Sequence, residues 1–188
     1  VFEYRSGCDA MQYLLSGEET ERLLFQEVDL RYYSEWLKFF EDPRSHQHWI
    51  ENRSTPKVEC DNWYEKQRLR YDQNRGGMNA LIEKVSGRLV GHAGLLVQVV
   101  DGVEELEIAY SLLPEFWNRG YAIEAAHKCK ISAFENNFAN SLISIISVTN
   151  LPSQKVAVKN GLIMDKQTVY RGNPVYIYRI NQNGPEKV

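Results

Sequence analysis

The chain of 188 residues has few of the residues that staple, anchor or metallate a protein. Its three cysteines, Cys8, Cys60 and Cys129, are odd in number, widely spaced and without a C-x-x-C pair. No disulfide framework follows from them, and a reducing, cytoplasmic compartment is expected. Four histidines form no H-E-x-x-H, so no metal site is expected. No apolar run approaches the roughly 20 residues of a membrane span. The first residues include Glu3, Arg5 and Asp9 where a signal peptide would be apolar, so no membrane partner is expected. An excess of positive charge is missing too. Lys and Arg number 22 against 25 Asp and Glu, a net −3, which argues against a protein built to grip a nucleic acid backbone. Neither G-x-x-x-x-G-K-[ST] nor a G-x-G-x-x-G after a strand occurs, which removes the two familiar phosphate loops.

What is present is a chain able to build a core, 43% apolar and 12% aromatic, with no repeats and no internal linker. One domain is the simplest reading. Residues 1–19 are an extension of mixed composition, in which 11–15 could be a short strand or a turn. Leu23-Leu24-Phe25 between charges reads as a first strand. Asp29 is a candidate N-cap for a helix over residues 30–40, with Tyr33, Trp36, Leu37 and Phe40 at helical spacing. Thr55-Pro56 opens a second helix to about residue 73. It is expected to bury Cys60, Trp63, Tyr64 and Leu69 and to leave Lys66, Arg68 and Arg70 on a solvated face, with Gly76-Gly77 as its breaker.

The period then changes. Residues 79–84, 89–99 and 104–112 read as an antiparallel meander turning at Ser86-Gly87 and Asp101-Gly102, with Gly91 and Gly94 marking a bulge or close packing. His92 within it reads as a packed histidine. The run L-I-S-I-I-S-V at 142–148 suits a strand buried on both faces. Pro152 suits the first turn of a further helix that stops at Asn160-Gly161. Residues 168–171 and 175–180 form a last hairpin around Gly172-Asn173-Pro174, and the polar tail 181–188 is expected to fray.

The organising stretch is L-L-P-E-F-W-N-R-G-Y-A-I at 112–123. A strand runs into Pro114, and a helix with small residues Ala122, Ala125, Ala126, Cys129 and Ala133 on one face begins after Gly120. A helix opening directly after a strand offers unpaired N–H donors and a positive dipole end, a ready anion site. Gly120 lets a ligand approach the backbone, and Arg119 adds a charge suited to phosphate. An ordinary strand–turn–helix is the equally good reading from pattern alone.

The stretch E-I-A-Y-S-L-L-P-E-F-W-N-R-G-Y-A-I-E-A resembles the acetyl-CoA motif of the GNAT acetyltransferase superfamily, and within it the RimJ/RimL-type branch. The opening T-E-R-L-L-F-Q-E is similar to that branch as well, with Arg22 more suited to an ion pair than to catalysis. Asn150 and Ser153, after the buried strand, match the second motif of the superfamily. The resemblance spans residues 20–180. It implies an α/β fold: a mixed, mostly antiparallel sheet of six or seven strands flanked by helices, with a splayed parallel pair ending at Leu112 and Val148. It implies acetyl-CoA as cosubstrate, held at the loop Trp117-Asn118-Arg119-Gly120-Tyr121-Ala122 with pyrophosphate on the N–H groups of Asn118 to Ala122. The edges of Leu112 and Leu113 would take the pantetheine amides, Asn150 the pantetheine and Ser153 the sulfur end. The acceptor would be a primary amine, a protein N-terminus or a small amine, with residues 44–52 helping to wall its site.

Two departures bear on the chemistry. Ala157 stands where many members carry a tyrosine acid; in some members of the branch the serine at the place of Ser153 is assigned that role, and the plain alternative is that Asn150 and Ser153 only cap a helix. Ala109 stands where the branch has glycine at a strand bulge. Glu107 is the first choice as general base, against the plain alternative of a solvent-facing carboxylate beside Glu104 and Glu105. Cys129 falls on a packed face, so direct transfer in a ternary complex is expected rather than an acyl-enzyme. A CoA-binding module without turnover and an unrelated nucleotide or phosphate binder stay open as alternatives, and the oligomeric state, including a homodimer, is open.

Overall fold

A computed structural model describes residues 12–182, so Cys8 and most of the expected extension and tail lie outside the described residues. The elements in order are β1 (Leu23–Glu27), α1 (Tyr33–Glu41), α2 (Pro56–Asp72), β2 (Gly76–Glu83), β3 (Leu89–Val100) and β4 (Val103–Leu112). They continue with α3 (Tyr121–Glu135), β5 (Ser141–Ser147), α4 (Leu151–Lys159), β6 (Ile163–Tyr170) and β7 (Asn173–Asn181). The seven strands form one sheet in the order β1-β2-β3-β4-β5-β7-β6. Every pairing is antiparallel except β4 with β5. The expected α/β architecture, with its one parallel pair, is the observed one.

Alternation along the strands sorts the two faces. On one face His92 meets Trp36 of α1 and Trp63 of α2, at ring separations of 4.2 and 4.5 Å. Gln98, on the same face, meets Arg70 of α2. On the other face Tyr110 reaches Ser153 of α4, and α3 packs beside α4. The small face of α3 does what small residues allow. Ala125, Ala126, Cys129 and Ala133 are all buried, so the helix lies close on β3 and β4.

Several local readings need correction. The Asp29 side chain caps a 3-10 turn, Leu30–Tyr32, and the α-helix begins only at Tyr33. Gly76 and Gly77 do not merely break α2. They are the first residues of β2, pressed against Leu95 and the Tyr71 ring. In α2 the expected faces are partly exchanged: Leu69 is 43% exposed while Gln67 and Arg70 are buried. The tertiary reason is that Arg70 donates to the C=O groups of Arg75 and Val97 and to Gln98, and Gln67 accepts from Met78 N–H. The last hairpin turns at Arg171-Gly172, both with positive φ (49° and 75°), and β6 starts at Ile163 rather than near 168. The bulge sits at Val90, where the β2–β3 register slips, while β3–β4 runs unbroken through Ala109 opposite Gly94. Gly91 beside that bulge cannot carry a Cβ, which would strike Ser111 C=O and stand 2.6 Å from Leu112 Cα.

No helix among the described residues is long and apolar enough to cross a membrane.

Candidate active site

The ladder between β4 and β5 holds a single pair, Glu107 opposite Ile143. Past it, residues 109–112 and 145–147 share no partner, and the parallel strands part. Two side chains brace the gap. Ser144 Oγ donates to Ile108 C=O at 2.9 Å, at the point where the strands separate. Further on, the hydroxyl of Tyr110 donates to Ser153 C=O at 3.1 Å, a whole tyrosine side chain away from its own strand. Burial pushes the Tyr110 hydroxyl well above its usual pKa, so it stays protonated, and the contact with Ser153 pulls the other way.

The edge of β4 that faces this gap follows from hydrogen-bond alternation. Leu113 N–H donates to Val90 C=O, and its C=O accepts from Phe116 N–H. Both polar groups of Leu113 are thus engaged, which corrects its place on a free edge. Leu112 C=O is taken by the indole Nε1 of Trp117 at 2.9 Å. The groups left pointing toward β5 are the N–H of Leu112 and the N–H and C=O of Tyr110.

At the mouth of the gap lies the loop before α3. Asn118 (φ 60°) and Gly120 (φ 82°) are both left-handed, and residues that alternate this way turn successive N–H groups to one side. Gly120 is the N-cap of α3 and no side chain caps the helix, so the donors of the first turn are not consumed. Asn118, Arg119 and Gly120 are exposed, while Tyr121 is buried and its hydroxyl donates to Glu83. Trp117 and Ala122 are half-buried at either end. The guanidinium of Arg119 lies over the Phe116 ring at 5.5 Å and makes no ion pair among the described residues.

Arg22 holds this loop from below. It pairs with Glu124 at 2.6 Å, donates to Arg119 C=O at 2.9 Å and lies over the Tyr121 ring at 4.2 Å. The ion-pair role expected of Arg22 is what the structure shows, and its partner stands in the first turn of α3. For Glu124 burial works upward, but the hydrogen bonds from Thr20 and Arg22 outweigh it and hold the carboxyl below its ordinary pKa.

On the other face the side chain of Glu107 is buried, only 8% exposed, which corrects the solvent-facing alternative. Its Oε2 accepts from Gln98 Nε2 at 2.8 Å, and Gln98 Oε1 accepts from Arg70 Nη2 at 2.9 Å and the Tyr170 hydroxyl at 3.1 Å. Burial raises the pKa of Glu107; Gln98, Ile145 N–H, Arg70 and Arg171 pull against it. A carboxylate so placed is a stronger base than one in water.

Asn150 Oδ1 accepts from Ser153 N–H at 3.2 Å, so Asn150 caps α4, and its Nδ2 makes no hydrogen bond among the described residues. Ser153, half-buried, faces Tyr110 across the gap. The connection between α1 and α2 is pinned nearby. Asn173 bonds both the N–H and C=O of Ile50, and the His48 ring bonds Thr149.

Other candidates are inert. Burial lowers the pKa of His92 to about 3, so it is a neutral packed ring. Burial raises Cys60 to about 11 and Cys129 to about 12, which keeps both thiols protonated. Gln98, Arg70 and Tyr170 were missed from sequence. The one signal was Gln98 itself, a lone amide in an apolar strand.

Residues 22–163 match the family model described as an acetyltransferase (GNAT) domain. Among curated proteins, YkkB of Bacillus subtilis is 27% identical over 158 residues, 83% of this chain and 81% of that protein. Among solved structures, an acetyltransferase from Agrobacterium tumefaciens superposes with a TM-score of 0.74 at 20% identity, covering 93% of this chain and 99% of that one. The ribosomal-protein α-N-acetyltransferase RimL, solved in complex with coenzyme A, superposes with a TM-score of 0.68 at 13% identity, covering 86% and 95%.

Proposed function

The chain belongs to the GNAT acetyltransferase family and is an N-acetyltransferase, and from that premise we propose that it takes acetyl-CoA as cosubstrate and acetylates a primary amine by direct transfer in a ternary complex. One observation carries this reading: the uncapped N-terminus of α3, with Asn118 and Gly120 left-handed, opens onto the gap where β4 and β5 part after Glu107–Ile143. Pyrophosphate would sit on the N–H groups of residues 118–122 with Arg119 alongside. The pantetheine would run as an added strand along Tyr110 and Leu112, with the Asn150 amide beside it.

The chemistry then follows from charge. A lysine-like amine has a pKa of about 10 and an α-amino group about 8, so the acceptor arrives protonated and needs a base. Glu107 is that base, directly or through water. Its raised pKa matches it to the task, and Gln98 orients it. Attack makes an oxyanion, which the free Tyr110 N–H, the donor nearest the point where the strands split, stabilises. Collapse expels a thiolate whose thiol has a pKa of about 8.5; the proton left on the attacking nitrogen reaches it through the Ser153 hydroxyl, which gives one proton and takes up the other. The thiols of Cys60 and Cys129, the cysteines among the described residues, are buried and protonated and offer no acyl-enzyme route.

The RimJ/RimL-type motif and the likeness to RimL support a protein N-terminus as the acceptor. A calorimetric titration of the folded protein with CoA, joined to a free-thiol release assay over amine-bearing peptides, tests the reading. Absence of CoA binding would overturn it.

A further inference from the structure

A cavity of about 570 Å³ opens between α2, the end of β3 and the β6–β7 turn. Its wall includes Lys66, Arg70, Arg75, Arg171, Gln98 and a single acid, Asp101. Asp101 is already used by Lys166 and Thr168, and Arg75 is paired with Glu104. Lys66, Arg70 and Arg171 make no ion pair among the described residues. In a chain of net charge −3, three unpaired cations in one cavity run against the composition.

Arg70 is the informative one. It is 8% exposed, and its Nη atoms are bonded to Arg75 C=O, Val97 C=O and Gln98. Its Nε is buried with no partner. A guanidinium cannot shed its proton, so this is a buried charge with a donor in want of an acceptor. Lys66 is exposed at the mouth. Desolvation by the surrounding protein, and after it the nearby charges of Arg171 and Arg70, lower its pKa to about 8.

The cavity is one amide away from the base. Gln98 lies in its wall and donates to Glu107. Resting on the transferase reading above, the geometry points to an acceptor whose segment next to the amine is acidic, its carboxylate held by Lys66, Arg70 and Arg171 while the amine meets Glu107. A polyamine or a basic peptide would be repelled at the same place.

The test is transfer to three peptides of equal length with the same first residue, followed by acidic, neutral or basic residues, with spermidine as a fourth acceptor. The acidic peptide should exceed the basic one in kcat/KM by about tenfold or more, and the ratio should shrink between low and high salt. Arg171→Gln should bring the ratio close to one. Lys159→Gln, an equal charge change on exposed α4, should leave it alone. Fluorescence anisotropy of the labelled N-acetylated acidic and basic peptides on the CoA-loaded protein reads the same preference without turnover. Equal binding of the two peptides, good use of spermidine, or an unchanged ratio in Arg171→Gln would overturn the inference. Loss of CoA binding or of thiol release with every amine strikes instead at the transferase reading.

Discussion

The loop before α3 and the cavity beneath α2 lie toward opposite faces of one sheet, and both are rich in donors, yet they are assembled differently. The loop is local. Residues 117–122 supply its donors, its left-handed turns and its charge, with Arg22 and Glu83 bracing it from elsewhere. The cavity is made of three segments far apart in the chain, α2, β3 and β6, and Gln98 joins them. The contrast teaches that backbone donors need only a short motif to converge. A cluster of side-chain charges needs a whole fold to bring it together.

Glu107 lies at the seam between the two, and a change there should have the largest effect. Glu107→Gln should lower kcat/KM by about 10²- to 10⁴-fold with the calorimetric CoA Kd unchanged. The folded-state pKa of Glu107 is raised, so its charged form costs stability as pH rises through that value. The same variant should therefore melt higher than the parent at neutral pH, and the gain should vanish in acid. A CoA Kd that moved as much as turnover would place Glu107 on the cosubstrate side and break the division.

Ser153→Ala comes next, with kcat lower by about 10²-fold and CoA affinity held. Full turnover, with chemistry shown to be rate-limiting, would leave Ser153 as part of the α4 cap and pass the donor's role to water.

Gly120→Val tests the local side alone. The φ of 82° costs a branched residue about 1–3 kcal/mol, and the new side chain would crowd Arg22 Nη2, 3.3 Å from a Cβ there. CoA affinity should fall by about tenfold or more, while the acidic-over-basic peptide ratio stays as it was. A shift in that ratio would show the two sides coupled.

The smallest effect is on stability. Arg22→Met removes the partner of Glu124, at a cost of about 1–2 kcal/mol after allowing for the exposure of the arginine. That is about 3–6 °C in Tm. Glu124 has a lowered pKa in the folded chain, so its contribution is complete above the ordinary glutamate pKa of about 4.3 and is lost as pH falls below it. Thermal melts from pH 7 to pH 3 should show the gap between variant and parent closing in acid.

By itself the sequence determined the meander, the packed face of α3, the strand–turn–helix at Gly120 and the opening of α4 at Asn150. Each depends on neighbours a few residues apart: the alternation of β4, the small face of α3, Gly120 after Arg119, and Asn150 three residues before Ser153. What it could not determine were the states of long polar side chains. Arg70 on α2 has the pattern of a solvated residue and is buried, because β3 carries C=O groups and Gln98 to receive it. Glu107 follows Glu104 and Glu105 in the chain with nothing local to set it apart, and it is enclosed in the fold because Ile143 lies opposite it and Gln98 binds its carboxylate. Leu113 looked like a free edge until Val90 and Phe116 claimed its backbone. A backbone motif carries its own geometry, whereas the charge and reach of a side chain are decided by partners that only tertiary contact brings within hydrogen-bonding distance.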